Sequence, residues 1–263
     1  MRILVCLKQA IDVSQIKSDK TTGLLLLANV PRKISDFDKN ALEEAIRLKE
    51  KFGGEVLTLT VGSEDPKTTV REALAIGADK AYIVADPILE EQDTLATSYV
   101  LAEAIKKIGL IDLILCGETS IDGYTALIGP RLAERLNLPV ISHVRKLSVE
   151  GSDVIAERTL EDCYETVKAR IPLVLTVTKE LNEPRIPTLM AIMKASRKEI
   201  IVWKSADLNI PNDKVGKLGS ATTVICTIAP KMERKRIVIK GETPEEIANR
   251  LTEALLQQGV IKK

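Results

Sequence analysis

Aromatic residues are scarce in this 263-residue chain: two Phe, four Tyr and one Trp, 3% in all. So thin a supply leaves any core to Leu, Ile, Val and Ala, and it argues against the stacking platforms that hold single-stranded nucleic acids. Histidine is scarcer still. His143 stands alone, with no serine or cysteine nucleophile motif to complete a triad, and it is expected at a strand start. The four cysteines (Cys6, Cys116, Cys163 and Cys226) lie far apart without a CxxC pair, which speaks against zinc or iron–sulfur ligation within the chain. Cys6 and Cys116 fall in apolar strand patterns, where a free thiol acts as a small hydrophobe. Neither sign of charge dominates: 38 basic and 37 acidic residues leave a net +1, not the footprint of a general nucleic-acid binder. No apolar run reaches the roughly 20 residues of a membrane span, and no signal-peptide pattern precedes the first strand. A soluble, cytoplasmic protein is expected.

What is present is 45% hydrophobic residues, enough for one large domain or one domain with an appendage. Apolar runs at 3–7, 56–61, 81–84 and 111–115 read as strands covered on both faces. Between them lie helical stripes: from about Asp38 to the Gly53-Gly54 stop, from Pro66 to Gly77, from an Asp93 or Thr94 cap to Lys107, and from Gly123 to Leu136. This alternation predicts an α/β fold, a doubly wound parallel sheet with right-handed crossovers. Residues 144–149 and 154–160 then form a β-hairpin around Glu150–Asp153. Strand-like runs at 167–171 and 173–177, a loop at 182–187, a short helix at 188–195 and a strand at 200–203 follow. From Ser205 the rhythm is lost until a last helix at 243–258. So long an irregular stretch is uncommon inside a domain. The division read here is an α/β domain over 1–204 and a C-terminal arm over 205–263 that lies on another subunit.

The most informative segment runs from Asp112 to Pro130. A buried strand ends at Gly117, and Thr119, Ser120, Asp122, Gly123 and Thr125 lead into a helix. Unpaired N–H groups at a helix start suit a phosphate. The segment is neither GxxxxGK[ST] nor GxGxxG, so an ordinary strand–helix turn is an equal reading of it. Ligands of such sheets sit at the carboxyl ends of the strands, here 6–10, 61–63, 84–87 and 116–122. No lysine, histidine or carboxylate pair stands among them in an acid–base arrangement. The site is made to hold something.

Several motifs together resemble the beta subunit of electron-transfer flavoproteins over essentially the whole chain. They are Leu4-Val-Cys-Leu-Lys-Gln9, Ala41-Leu-Glu-Glu-Ala-Ile-Arg-Leu-Lys-Glu50, Arg71-Glu-Ala-Leu-Ala-Ile-Gly-Ala-Asp79, Ser120-Ile-Asp-Gly123 with Gly129-Pro130, and Leu181-Asn-Glu-Pro-Arg185 with Ile192-Met-Lys-Ala195. The resemblance implies an adenine-nucleotide-binding, Rossmann-like fold and a heterodimer with a flavin-carrying alpha subunit. It further implies electron transfer between dehydrogenases and a redox acceptor. Most members hold structural AMP in the beta subunit. An electron-bifurcating branch holds FAD there, takes electron pairs from NADH, and divides them between a low-potential acceptor (ferredoxin or flavodoxin) and a high-potential one (quinone or acyl-CoA dehydrogenase). Asp93-Thr-Leu-Ala-Thr-Ser98 resembles that branch's distinguishing segment, and FAD is the cofactor expected, with AMP the alternative.

Carried over by position, the resemblance places the cofactor against Cys6, Ser35, Asp36, Phe37, Asp38, Val61, Asp93, Thr94, Ala96 and Thr97. It adds the run Gly117, Glu118, Thr119, Ser120, Ile121, Asp122, Gly123, Tyr124, Thr125, Ala126, Leu127 and Ile128. Gly123, Thr125 and Ala126 are expected to open the helix and meet the phosphates, with Asp122 an alternative helix cap. The chain departs from the pattern at Glu118, usually basic, and at Tyr124 and Leu127, usually acidic or amide in the bifurcating branch. Ser35-Asp36 replaces a usual Asn-Pro, and Cys163 a small or acidic residue. Leu189, Ile192 and Met193 correspond to the loop that docks a dehydrogenase or quinone-reducing partner, while the bland reading packs them on their own domain. Iron–sulfur subunits and ferredoxin are further expected partners. An ATP-binding stress or signalling module of similar fold is the alternative of another class.

Overall fold

The computed structural model describes residues 1–19, 21–62, 66–229 and 236–262. Ser63, named above at a strand end, and positions 230–235 of the arm lie outside the described residues.

The strands are β1 (Arg2–Cys6), β2 (Gln9–Ile11), β3 (Lys17–Ser18), β4 (Leu25–Leu26), β5 (Arg32–Ile34), β6 (Glu55–Gly62), β7 (Lys80–Ala85), β8 (Leu113–Gly117), β9 (Val140–Glu150), β10 (Asp153–Thr159), β11 (Tyr164–Arg170), β12 (Leu173–Val177) and β13 (Ile200–Trp203). The helices are α1 (Asp36–Phe52), α2 (Lys67–Ile76), α3 (Thr94–Ile108), α4 (Ile128–Leu136), α5 (Leu189–Ala195), α6 (Gly216–Gly219) and α7 (Pro244–Gln257). One nine-stranded sheet, ordered β11-β10-β9-β12-β8-β1-β6-β7-β13, carries the fold. It is parallel from β9 through β13, and β10 and β11 add an antiparallel meander at one edge. Chain order reverses around β1, which lies between β6 and β8.

Both faces of the parallel strands are covered, which is why their sequences are continuous apolar runs rather than alternations. Ile3 and Val5 point to a core shared with α1, α2 and α5. Leu4 and Cys6 point to a second core shared with α3 and α4. Acidic residues in the first turn of α1 and lysines in its last complement the helix dipole.

Three sequence readings around the central strands shift, and β9 and β11 begin earlier than read, at Val140 and Tyr164 rather than 144 and 167. The first helix starts at Asp36 rather than Asp38, and the fourth core strand spans 113–117 rather than 111–115. The third shift matters for the site. The helix read from Gly123 begins at Ile128. Tyr124 and Ala126 adopt left-handed φ of 50° and 54°, which no helix continues through. Pro130 is the cause visible in sequence: a helix from Gly123 would put its ring and missing N–H against the Ala126 carbonyl. In the first turn it is tolerated.

The segment after Trp203 divides by packing. Leu208, Ile210 and Val215 are buried in the α3–α4 core, whereas Leu218, Val224 and Ile225 are 79, 80 and 96% exposed. Short 3-10 turns at 205–208 and 212–214 place the buried three. Such turns are too brief to print a hydrophobic period. α7 buries none of its residues. Among the described residues no helix is long and apolar enough to cross a membrane.

Candidate functional site

A cavity of about 700 Å³ opens where the carboxyl ends of β1, β6 and β8 meet, at the point where strand order reverses. Open α/β sheets bind their ligands there. Of the residues singled out by sequence, Cys6, Asp38, Val61, Asp93, Thr94, Thr97, Gly117, Glu118, Thr119, Ser120, Gly123, Thr125, Ala126, Leu127 and Ile128 line it. Ser35, Asp36, Phe37, Ala96, Ile121, Asp122 and Tyr124 stand outside that lining. Ser35 is buried and its hydroxyl accepts from the Ile121 N–H at 3.3 Å. Asp36 pairs with Lys33 at 3.0 Å. Phe37 meets Tyr124 edge-on at 6.1 Å, and Tyr124 is exposed.

The lining also contains residues the sequence reading passed over, among them Leu7, Lys8, Arg32, Thr60, Leu89, Gln92, Leu101, Arg131 and Thr222. Lys8 lies in the strand end at 6–10, where the sequence shows no acid–base arrangement, and the fold brings a carboxylate to it. Its ammonium bonds Asp122 at 2.6 Å, and the Asp122 carboxylate also accepts from the Ile11 N–H at 3.4 Å. Burial pushes the Asp122 pKa up, but the Lys8 bond and charge outweigh it and leave the group below the usual range. Asp122 therefore braces β1's end and does not cap α4, whose first turn has no side-chain cap. The sequence signal for Lys8 was its place directly after a core strand, on the carboxyl side.

Asp38 joins the two central strand ends. Its carboxylate accepts from the Lys8 N–H at 2.7 Å and from the Gly117 N–H at 3.1 Å. A Cβ at Gly117 would stand 2.5 Å from Asp38 Oδ1 and 2.7 Å from Phe37 Cβ, so only glycine lets the chain pass. Burial pushes the Asp38 pKa from 3.8 up to about 7, against the pull of both N–H bonds and of Lys8.

At α3, Asp93 caps the helix, one oxygen accepting from the Leu95 and Ala96 N–H groups at 2.8 and 3.0 Å. The other accepts from the Ala221 and Thr222 N–H groups at 2.9 and 3.1 Å. Thr94 Oγ1 accepts from Arg131 at 2.8 Å, and Thr97 Oγ1 donates to the Asp93 carbonyl at 2.8 Å. Ser98, the last residue of the 93–98 segment, is fully buried, donating to the Leu95 carbonyl and accepting from Arg135.

Three lining atoms are buried without a hydrogen-bond partner among the described residues: Thr60 Oγ1, Thr119 Oγ1 and Gln92 Oε1. Buried polar groups in native proteins are nearly always paired, so these three are exceptions beside the cavity. His143 stands inside β9 rather than at its start, with Nδ1 2.9 Å from the cavity residue Glu118.

Away from the cavity, Leu189, Ile192 and Met193 are 75, 51 and 65% exposed, so the bland reading that packs them on their own domain does not hold. The preceding loop is clamped: Arg185 bonds Glu43 at 2.8 Å and Glu50 at 2.6 Å, and Asn40 and Asn182 bond each other.

A family model described as the electron transfer flavoprotein domain matches residues 22–208. The chain is 41% identical over 262 residues to an electron transfer flavoprotein subunit beta of Thermoanaerobacterium thermosaccharolyticum, covering 99% of this chain and 100% of that one. It is 38% identical, with the same coverage, to the caffeyl-CoA reductase–Etf complex subunit CarD of Acetobacterium woodii. It is 35% identical over 253 residues to the protein FixA of Azorhizobium caulinodans, covering 92% of this chain and 90% of that one.

Proposed function

Because this chain belongs to the electron transfer flavoprotein family, as a beta subunit, we propose that its cavity holds FAD and that it works paired with a flavin-carrying alpha subunit. In this reading the pair draws electrons from NADH and divides them between a low-potential acceptor (ferredoxin or flavodoxin) and a high-potential one (quinone or acyl-CoA dehydrogenase). The observation that carries FAD over AMP is the extent of the lining. About 700 Å³ runs from the Gly117–Ile128 loop to Leu89–Thr97, well inside the roughly 300–1,000 Å³ of organic-ligand sites. A mononucleotide on the loop leaves the second segment without an occupant.

The residues present fit such a group. Thr60, Thr119 and Gln92 each carry a buried polar atom without a partner among the described residues. Lys8 and Arg131 bring positive charge to a pyrophosphate. Leu7, Val61, Leu89 and Leu101 supply apolar walls for rings. Asp38 keeps the β1 and β8 ends in register beneath them. When bound, FAD supplies exchange of electron pairs with a nicotinamide and of single electrons with other centres. The exposed face of α5 docks the dehydrogenase or quinone-reducing partner through Leu189, Ile192 and Met193, and iron–sulfur subunits complete a larger assembly.

The test is to count flavins per alpha–beta pair and to titrate with NADH without oxygen. Two FAD, one of them reduced by NADH, supports the proposal. One FAD with one AMP sinks it and leaves a single-flavin carrier.

A further inference from the structure

Cys6 and Cys116 are register partners on the adjacent parallel strands β1 and β8. Neighbouring strands lie about 4.7–4.9 Å apart, and in-register side chains share a face. Both cysteines belong to the same core cluster, toward α3 and α4. Both are free, and both line the cavity while being only 6 and 3% exposed. The neighbouring Cys6 side chain, with burial behind it, pushes the Cys116 thiol well above its ordinary range.

We propose that Cys6 and Cys116 form a two-thiol site in the cavity wall for a soft, low-coordinate thiophile, of which a monosubstituted trivalent arsenical is the type.

The chemistry follows from what surrounds the pair. Zinc takes four ligands in such sites, and among the described residues no group of three or more His, Cys, Asp or Glu comes together. Two thiols alone satisfy a centre that needs only two sulfurs. Peroxides and alkylating agents react with thiolates, and the Cys6 neighbour and burial disfavour that form of Cys116. An arsenical oxide reacts with neutral thiols because it carries its own proton acceptor. Two As–S bonds form, the As–O bonds break, and the two S–H protons leave with the oxide oxygen as water. No electrons change hands.

So little exposure leaves the cavity as the way in, so a ligand filling it excludes the arsenical. This competition rests on the nucleotide reading given above. The two-thiol site does not.

The experiment uses the alpha–beta complex freed of nucleotide, phenylarsine oxide, and intact mass of the beta chain. One phenylarsenic per chain is expected, stable to a monothiol wash and removed by a dithiol. Cys6→Ala and Cys116→Ala should each abolish it, and the Cys163→Ser/Cys226→Ser double variant should retain it. A wash-stable adduct surviving in either alanine variant, or none in the parent complex, overturns the site. Far-ultraviolet circular dichroism checks each variant, and Cys6→Ser and Cys116→Ser serve where an alanine variant misfolds. Added FAD or AMP should slow labelling at least about tenfold. Labelling at an unchanged rate keeps the two-thiol site and overturns the nucleotide's place in the cavity.

Discussion

At the scale of single residues, the carboxyl of Asp38 is under the most tension. It ties the Lys8 and Gly117 N–H groups together, yet it is buried among groups that pull both ways, with Lys8 favouring its charge and Asp122 opposing it. Its folded pKa of about 7 lies above the 3.8 of an ordinary aspartate, so between those values the folded chain binds the proton and the unfolded chain does not. Stability from this group is then fully present below about pH 4 and lost as pH rises through about 7. At about 1.4 kcal/mol per pKa unit the loss is on the order of 4 kcal/mol. Asp38→Asn is expected to remove that pH slope in urea unfolding at pH 5 and 8, and an unchanged slope would assign it to another group. Thr119 makes the complementary case. Its hydroxyl is buried and unpartnered, and desolvating such a group costs about 1–3 kcal/mol. Thr119→Val should therefore raise the stability of the nucleotide-free protein by about 1 kcal/mol while weakening nucleotide binding. Calorimetry with and without nucleotide separates the two effects.

Elements with a long period were legible in the sequence: β1, β6, β7 and the stripes of α1, α2 and α3 stand within two residues of where apolar spacing put them. The start of α4 was not, because small and hydroxyl residues at 119–126 carry no period and the informative residue, Pro130, acts backward on the chain before it. Likewise Ile210 and Val215 reach the core just after turns of three or four residues, too short for a pattern. Lys8 was missed because a lysine after a strand looks solvated until topology brings the end of β8 beside it. The packing of α4 has its own test. A Cβ at Gly129 would stand 2.1 Å from Thr176 Cγ2 on β12, so Gly129→Ala should cost about 1–3 kcal/mol through overpacking. Thr176→Ser removes the clashing methyl, and the double variant should recover most of that loss. Strict additivity in the double-mutant cycle would mean the contact does not govern this helix. The clamp on the 182–187 loop is a second such case. Burial pushes the Glu43 pKa up, but bonds from Arg185 and Arg47 leave it below the ordinary range. Its contribution is present above the unfolded value of 4.5 and lost as pH falls. Arg185→Ala should cost about 3 kcal/mol at pH 7, measured by urea unfolding, with the difference from the parent shrinking toward pH 3.

The whole molecule pairs a closed core with surfaces that are not closed. α5 turns Leu189, Met190, Ile192 and Met193 outward, and α7 has an apolar stripe including Ile247 and Leu251 but buries no residue. Exposed apolar surface of that kind marks interaction sites. The chain between the core and α7 has a different job. Ser220, Ala221 and Thr222 bond Asp93, Thr222 and Val224 line the cavity, and the Ala229 N–H donates to the Gly23 carbonyl at 2.9 Å. The chain through Ala229 is thus tied at several points to the wall of the site or to the core, and α7 lies beyond it. A cut after Trp203 would remove buried Ile210 and Val215 and damage the domain itself, so it cannot test the arm. A chain ending at Ala229 can. It is expected to keep its denaturation midpoint, because no buried residue of α7 is lost, and to lose only the helical far-ultraviolet signal of α7 itself. It should fail to form a stable complex with the alpha subunit in size-exclusion chromatography, while Arg185→Ala, which disturbs only the α5 side, still forms one. Full-strength assembly of the shortened chain would place the alpha-subunit interface elsewhere on the sheet and leave α7 without a role in pairing.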